Sequence, residues 1–175
     1  MTMSNDLPNT FLYFAFGSNL LAERIHLMNP TAQYVDTVRL DGYALGFAHD
    51  SKRWRGAGAT IYQSPGDCVY GVLWRLNNAD SDSLDEQEKV YERIEVTVHS
   101  VHSNQSYTCR SYEDQRDLVR HKLPSPHYMH VIIEGAIEHS LPDDYIAKLR
   151  TLPTNGYQGP IDMKFSVLKE LNGEV

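Results

Sequence analysis

The sequence predicts an α+β fold organised as one domain. Three observations carry that expectation. Short runs of strand character, separated by turn signals, fill the middle of the chain. Helical patterns gather towards its C-terminal end. The two kinds of element do not alternate as a doubly wound parallel sheet requires. A chain of 175 residues suits a single domain, and 41% hydrophobic content is ordinary for a soluble protein with one core.

Residues 1–10 are polar, lack the apolar centre of a signal peptide and read as a flexible leader. Residues 11–16 form an unbroken apolar run rich in aromatics, the pattern of a buried strand. Gly17 breaks it. Ser18 and Asn19 are N-cap types, and Leu20, Leu21, Ile25 and Met28 have helical spacing until Asn29 and Pro30 stop it. A strand turning at glycine into a helix start is a common connection. It also gathers free backbone N–H groups at one point, which suits a carboxylate or phosphate.

Residues 34–40 and 43–47 alternate in part, and Asp41-Gly42 between them is a hairpin turn signal. Residues 48–58 read as a polar loop ending in Gly56-Ala57-Gly58. These glycines have neither Walker nor dinucleotide spacing; they signal a bulge or a close backbone approach before a strand at 59–63. Ser64-Pro65-Gly66-Asp67 is a compact turn, followed by a strand at 69–76. After a polar linker at 77–82, Ser83 and Glu86 have capping-box spacing and open a short helix ending near Val90.

Residues 91–101 alternate as a strand, and 107–112 return as its partner. Residues 113–126 are a loop. A helix at 127–139 places Met129, Ile132, Ile133, Ala136 and Ile137 on one side. Pro142 opens another, with Asp143 and Asp144 in its first turn and Tyr145, Ile146 and Leu149 facing inward. The domain is thus expected over residues 11–160. The tail, 161–175, reads either as an amphipathic helix or as a frayed end.

The formal net charge of −7, with no basic tract, argues against a nucleic-acid partner. Arg53 and Arg55 beside Trp54 make a small patch that suits a peptide carboxylate or plain solvent. No apolar stretch approaches the ~20 residues of a membrane span. Cys68 and Cys109 share no metal spacing and read as packed free thiols, so the expected location is the reducing cytoplasm. His127, His130 and Glu134 recur on one helix face, where a solvated or helix-stabilising role outweighs metal binding.

Glu88 is the candidate for chemistry. Leu84 and Glu88 are four apart on the short helix, and Tyr91 continues their stripe. A carboxyl at the edge of apolar surface is partly desolvated, and its pKa rises towards neutrality, as a general base and acid near pH 7 requires. On spacing alone, Asp85, Glu86, Glu88 and Glu92 read more readily as an acidic helix face in water.

Tyr13-Phe-Ala-Phe-Gly-Ser-Asn-Leu20 resembles the N-terminal signature of the gamma-glutamylcyclotransferase family, Y-F-A-Y-G-S-N-L. The resemblance continues through Gly58–Asp67 with Val69–Trp74, through Leu84-Asp-Glu-Gln-Glu88 (L-D-x-x-E in the family), Cys109-Arg-Ser-Tyr112 and Pro124-Ser-Pro-His-Tyr128. It implies a small mixed β-barrel with peripheral helices. It also implies cyclisation of a gamma-glutamyl dipeptide: the substrate's α-amine attacks its own γ-carbonyl carbon, giving 5-oxoproline and a free amino acid without metal or cofactor.

Glu88 falls on the family's catalytic Glu. The substrate-binding residues it implies are Tyr13, Phe14, Ala15, Phe16, Gly17, Ser18, Asn19, Tyr91, Tyr112 and Tyr128, with backbone N–H groups at 16–19 holding an anionic end or the oxyanion. Family members are often homodimers, so a homodimer is expected. A sister activity on gamma-glutamyl amines and a non-catalytic binding role are the alternatives. Two departures bear on them. Phe16 stands where the signature has Tyr. Lys89-Val-Tyr91 replaces a longer, glycine-containing connection and puts a cation next to Glu88 in sequence.

Overall fold

The computed structural model describes residues 7–114 and 122–174, so most of the expected leader lies outside the described residues. Five strands close into a barrel in the order β1-β3-β2-β4-β5. They are β1 (Thr10–Ala15), β2 (Gln33–Ser51), β3 (Gly56–Asn77), β4 (Glu92–Ser100) and β5 (Ser106–Glu113). Among the described residues the α-helices are α1 (Ala22–Met28), α2 (Ser81–Gln87), α3 (Pro126–Glu138) and α4 (Asp143–Arg150). The α+β class and the barrel are as expected.

β1 is the apolar run at the start of the chain. It pairs antiparallel with the end of β3, from Thr10↔Asn77 to Ala15↔Val72, and touches β5 in parallel at Tyr13↔Arg110. Phe14 and Ala15 are fully buried. A Cβ at Gly71 would lie 2.1 Å from the Ala15 carbonyl oxygen and 2.5 Å from the Phe14 ring, so only glycine lets β3 pass this close to β1.

The long β2–β3 hairpin corrects two expectations. Asp41-Gly42 does not end one strand and begin another: β2 runs through it, and the register shifts there between Asp41 and Tyr43. Gly42 has φ +80°, the left-handed conformation that its turn signal reflects, spent here on an irregularity inside a strand. The excess length lies opposite, in Ser64-Pro65-Gly66-Asp67, where Gly66 has φ +88° and the Ser64 hydroxyl donates to Asp67. The polar loop expected at 48–58 is largely strand as well. His49, Asp50 and Ser51 pair with Gly58, Ala57 and Gly56, which leaves only residues 52–55 as the turn. Gly56 shows why the glycines are needed, because a Cβ there would meet the Ser125 backbone nitrogen at 2.4 Å.

The helices depart from expectation mainly at their ends. Ser18–Leu20 is a 3-10 turn before α1, and neither Ser18 nor Asn19 caps a helix through its side chain. α2 begins at Ser81, and Ser83 donates to the Met28 carbonyl at 2.8 Å, so the Ser83–Glu86 capping box does not form. In α3, Ser125 accepts the Tyr128 N–H at 3.1 Å as N-cap. Met129, Ile132 and Ala136 face the core, whereas Ile137 is exposed.

The tail neither forms a regular helix nor frays. It crosses the core with Ile161, Met163, Phe165 and Leu168 buried, and includes a 3-10 turn at Ser166–Leu168. Phe165 stacks on Trp54 at 6.4 Å between ring centroids. No helix among the described residues is long and apolar enough to cross a membrane.

Candidate active site

A cavity of about 380 Å³ opens where the β1–α1 turn, the β2–β3 hairpin, the end of α2 and the start of α3 meet. Tyr13, Phe16, Gly17, Ser18 and Asn19 form its wall on the β1 side. Glu88, Tyr91, Tyr112 and Tyr128 face them. Phe14 and Ala15 do not line it, because β1 is locked between β3 and β5 and both side chains are spent in the barrel wall.

Glu88 is held from several directions. Leu84 is fully buried, and the Leu84 carbonyl accepts the Glu88 N–H at 2.9 Å. Glu88 is the C-cap residue of α2 rather than a member of its face. The chain then turns sharply, and Tyr91 N–H donates to the Glu88 carbonyl at 2.8 Å. The helix is tied to α1 by Asn29 Nδ2 donating to Gln87 Oε1 at 2.9 Å. Gln87 Nε2 donates to Asn19 Oδ1 at 3.1 Å. Asn19 Nδ2 faces both Tyr13 Oη, at 3.1 Å, and Glu88 Oε1, at 3.4 Å. Trp74 Nε1 fixes the Asn19 carbonyl at 3.0 Å. Each link immobilises the next, so the carboxyl sits at the end of a rigid polar chain.

Burial pushes the Glu88 carboxyl up to about 7, against the opposing pull of the Arg24 cation. Lys89 does not pair with it. Its Nζ lies 3.2 Å from Glu86 Oε1 on the exposed side of the turn, so the lysine is spent on Glu86.

The three tyrosines differ in what they present. Tyr112 donates to Asp85 Oδ1 at 2.5 Å and packs edge-on against Tyr13, so it contributes a ring and not a free hydroxyl. Tyr91 packs beside Gly58, where a Cβ would lie 2.7 Å from its hydroxyl. Tyr128 Oη accepts the Ala59 N–H at 2.8 Å and lies 3.1 Å from where a Cβ on Gly17 would be. Burial raises the Tyr128 phenol to about 12, and with Tyr13 and Tyr91 also raised by burial, all three are neutral near pH 7.

Cys109 is not a nucleophile. It is packed inside β5, donates weakly to the Val96 carbonyl and has its thiol pushed up to about 12 by burial. His127 is buried, whereas His130 faces Glu134 on the outer side of α3.

Comparison with known proteins identifies the family and the fold. A family model described as AIG2-like matches residues 68–149. Gamma-glutamylcyclotransferase from Mus musculus is 48% identical over 160 residues, spanning 87% of this chain and 84% of that protein. The chain belongs to the gamma-glutamylcyclotransferase family. The Homo sapiens gamma-glutamylcyclotransferase is 44% identical over the same length. A solved gamma-glutamyl cyclotransferase structure superposes with a TM-score of 0.85 at 40% identity, covering 94% of this chain and 99% of that one.

Sequence reasoning missed one residue of this cavity, Arg24. It is buried and lines the cavity. The signal was present: Arg24 falls on the apolar stripe of Leu20, Leu21, Ile25 and Met28, where a charge has no place unless it meets something. Trp54 and the exposed Arg53 line the same cavity, which puts the small basic patch noted in the sequence at its edge.

Proposed function

We propose that this protein converts gamma-glutamyl amino acids to 5-oxoproline and a free amino acid, with Glu88 as the acid/base. The observation that carries this reading is a carboxyl with a pKa near 7, fixed by Asn19 inside a cavity walled by the glycine turn. The substrate's α-amine is largely protonated at neutral pH and cannot attack in that form. Glu88 as carboxylate takes its proton. The amine nitrogen then bonds to the γ-carbonyl carbon, Glu88 returns the proton to the departing nitrogen as the amide bond to the second amino acid breaks, and the second proton that the attacking nitrogen sheds on becoming the lactam N–H passes through the same carboxylate to the released amine.

The Tyr128 oxygen accepts a backbone N–H, so its own proton is free to donate to the carbonyl oxygen as charge develops there. Gly17 keeps the turn open to the substrate. A walled cavity holds the folded conformer of an otherwise flexible glutamyl chain, which is worth several kcal/mol in reactions of this kind.

The reading includes a homodimer, by resemblance, and a cytoplasmic location, by cysteine usage. The test of function is product identity. Incubation with gamma-glutamyl-alanine is expected to release 5-oxoproline and alanine in equal amounts. Release only from gamma-glutamyl-lysine would move the protein to the gamma-glutamyl-amine activity, and no release from either would leave a binding protein.

A further inference from the structure

We propose that Arg24 anchors the α-carboxylate of the substrate's glutamyl half and so determines specificity for it. The inference rests on reading the cavity as a cyclotransferase site.

Arg24 is only 7% exposed, and its Nε has no hydrogen-bond partner. No carboxylate among the described residues lies within ion-pair distance of it. A guanidinium buried with unused donors is costly, and such cations are ordinarily paired. Trp54 lies 5.9 Å from its centre, a contact that steadies the plane of the guanidinium without satisfying its donors. Glu88 does not serve as the missing partner. Its carboxyl faces Asn19, and a tight ion pair with Arg24 would hold it well below its ordinary range instead of near 7. Arg24 lines the cavity, and a planar fork of donors there fits a carboxylate.

A gamma-glutamyl dipeptide carries two carboxylates. The glutamyl α-carboxylate shares a carbon with the α-amine that Glu88 must deprotonate, so its binding group must stand beside Glu88. Arg24 meets that condition: it lines the same cavity, and each group acts on the other's charge. It also stands in the first turn of α1, close after the Ser18–Leu20 turn, with its N–H bonded to the Leu21 carbonyl at 3.0 Å. The second amino acid varies and leaves. Arg53, exposed at the edge of the cavity, is placed for its carboxylate, and the buried Arg24 for the constant half.

The test uses a substrate that lacks only the group in question. Gamma-aminobutyryl-alanine keeps the amine and the amide. Its amine attacks the carbonyl carbon, the bond to alanine breaks, one proton passes between the nitrogens, and pyrrolidone is formed. The wild type is expected to favour gamma-glutamyl-alanine over it by about 100-fold in kcat/KM. Arg24→Gln should lose about 100-fold on gamma-glutamyl-alanine, chiefly in KM, and change by less than about 3-fold on gamma-aminobutyryl-alanine. Arg24→Lys should recover part of the loss. Gamma-glutamyl-alaninamide, which has no leaving-group carboxylate, should suffer as much as gamma-glutamyl-alanine.

Equal losses on the glutamyl and aminobutyryl substrates would overturn the assignment, as would a loss that disappears with the alaninamide. A wild-type ratio near one overturns it without any variant, whether or not Arg24→Gln folds. A wild type that forms no 5-oxoproline overturns the cyclotransferase reading and this assignment together, whereas normal turnover with unselective losses overturns only the role of Arg24.

Discussion

Asn19 and Glu88 are brought to 3.4 Å, amide nitrogen to carboxyl oxygen, from opposite ends of the β2–β3 hairpin. Asn19 cannot drift from this position, because Trp74 holds its carbonyl and Gln87 its side-chain oxygen. The carboxyl is thus oriented by a neutral donor and not neutralised by a cation. Replacing that donor with a second carboxylate should show how far the arrangement sets the proton affinity. Asn19→Asp is expected to move the acid limb of the kcat/KM–pH profile up by about one unit, through like-charge repulsion. The check is the profile of the variant beside that of the wild type.

The wild-type profile has a sign fixed by the role of Glu88. Its carboxyl titrates at about 7, and the attacking amine needs the carboxylate. Activity should therefore rise with pH through about 7 and level above it. A limb near pH 4.5 would mean that the working carboxyl is solvated in the free enzyme.

The same shift makes a prediction about stability. The folded pKa of Glu88 lies above that of the unfolded chain, so its contribution to stability is fully present below about 4.5 and is lost as pH rises through about 7. Glu88→Gln removes the cost of a buried charge. It is expected to unfold later than the wild type at pH 8, by on the order of 2 kcal/mol, with no gain at pH 4. Denaturant melts at the two pH values measure this.

Much of this site was legible in the sequence, and its failures have physical causes. The aromatic run of β1 and the glycine turn stand where the sequence placed them and Glu88 lines the cavity, but the stripe argument for Glu88 holds only in part. Leu84 does anchor the helix in the core, yet Glu88 is its C-cap residue and is desolvated by the cavity around it. Asp41-Gly42 has the local chemistry of a hairpin, and long-range pairing with β3 overrode it. The tail packs as irregular chain with Ile161, Met163 and Phe165 buried in alternation, and Phe165 lies against Trp54, a contact that no local pattern encodes. Arg24 was visible as a charge on an apolar stripe, but only the cavity gave it a purpose.

Lys89, one of the two departures from the family pattern, should matter little. Its ion pair with Glu86 is solvent-exposed at both ends and is worth less than about 1 kcal/mol. Lys89→Ala is expected to keep kcat/KM within about 2-fold and leave the pH profile unmoved. An acid limb displaced by this change would place the lysine closer to Glu88 than it stands.

Gly58 should matter more than its size suggests. A Cβ there would meet Tyr91 Oη at 2.7 Å, and the tyrosine must move into the cavity or away from it. Gly58→Ala is expected to cost about 1–3 kcal/mol of stability and to lower kcat/KM by about 10-fold. Combining it with Tyr91→Phe, which removes the clashing oxygen, should restore part of both.

The account stands on Glu88 moving the proton. Its most direct measurement is kcat/KM for 5-oxoproline release by Glu88→Gln, beside thermal unfolding of the same sample. A folded variant with activity reduced by about 100- to 10,000-fold is the predicted result. A folded variant that turns over at close to the wild-type rate would contradict it.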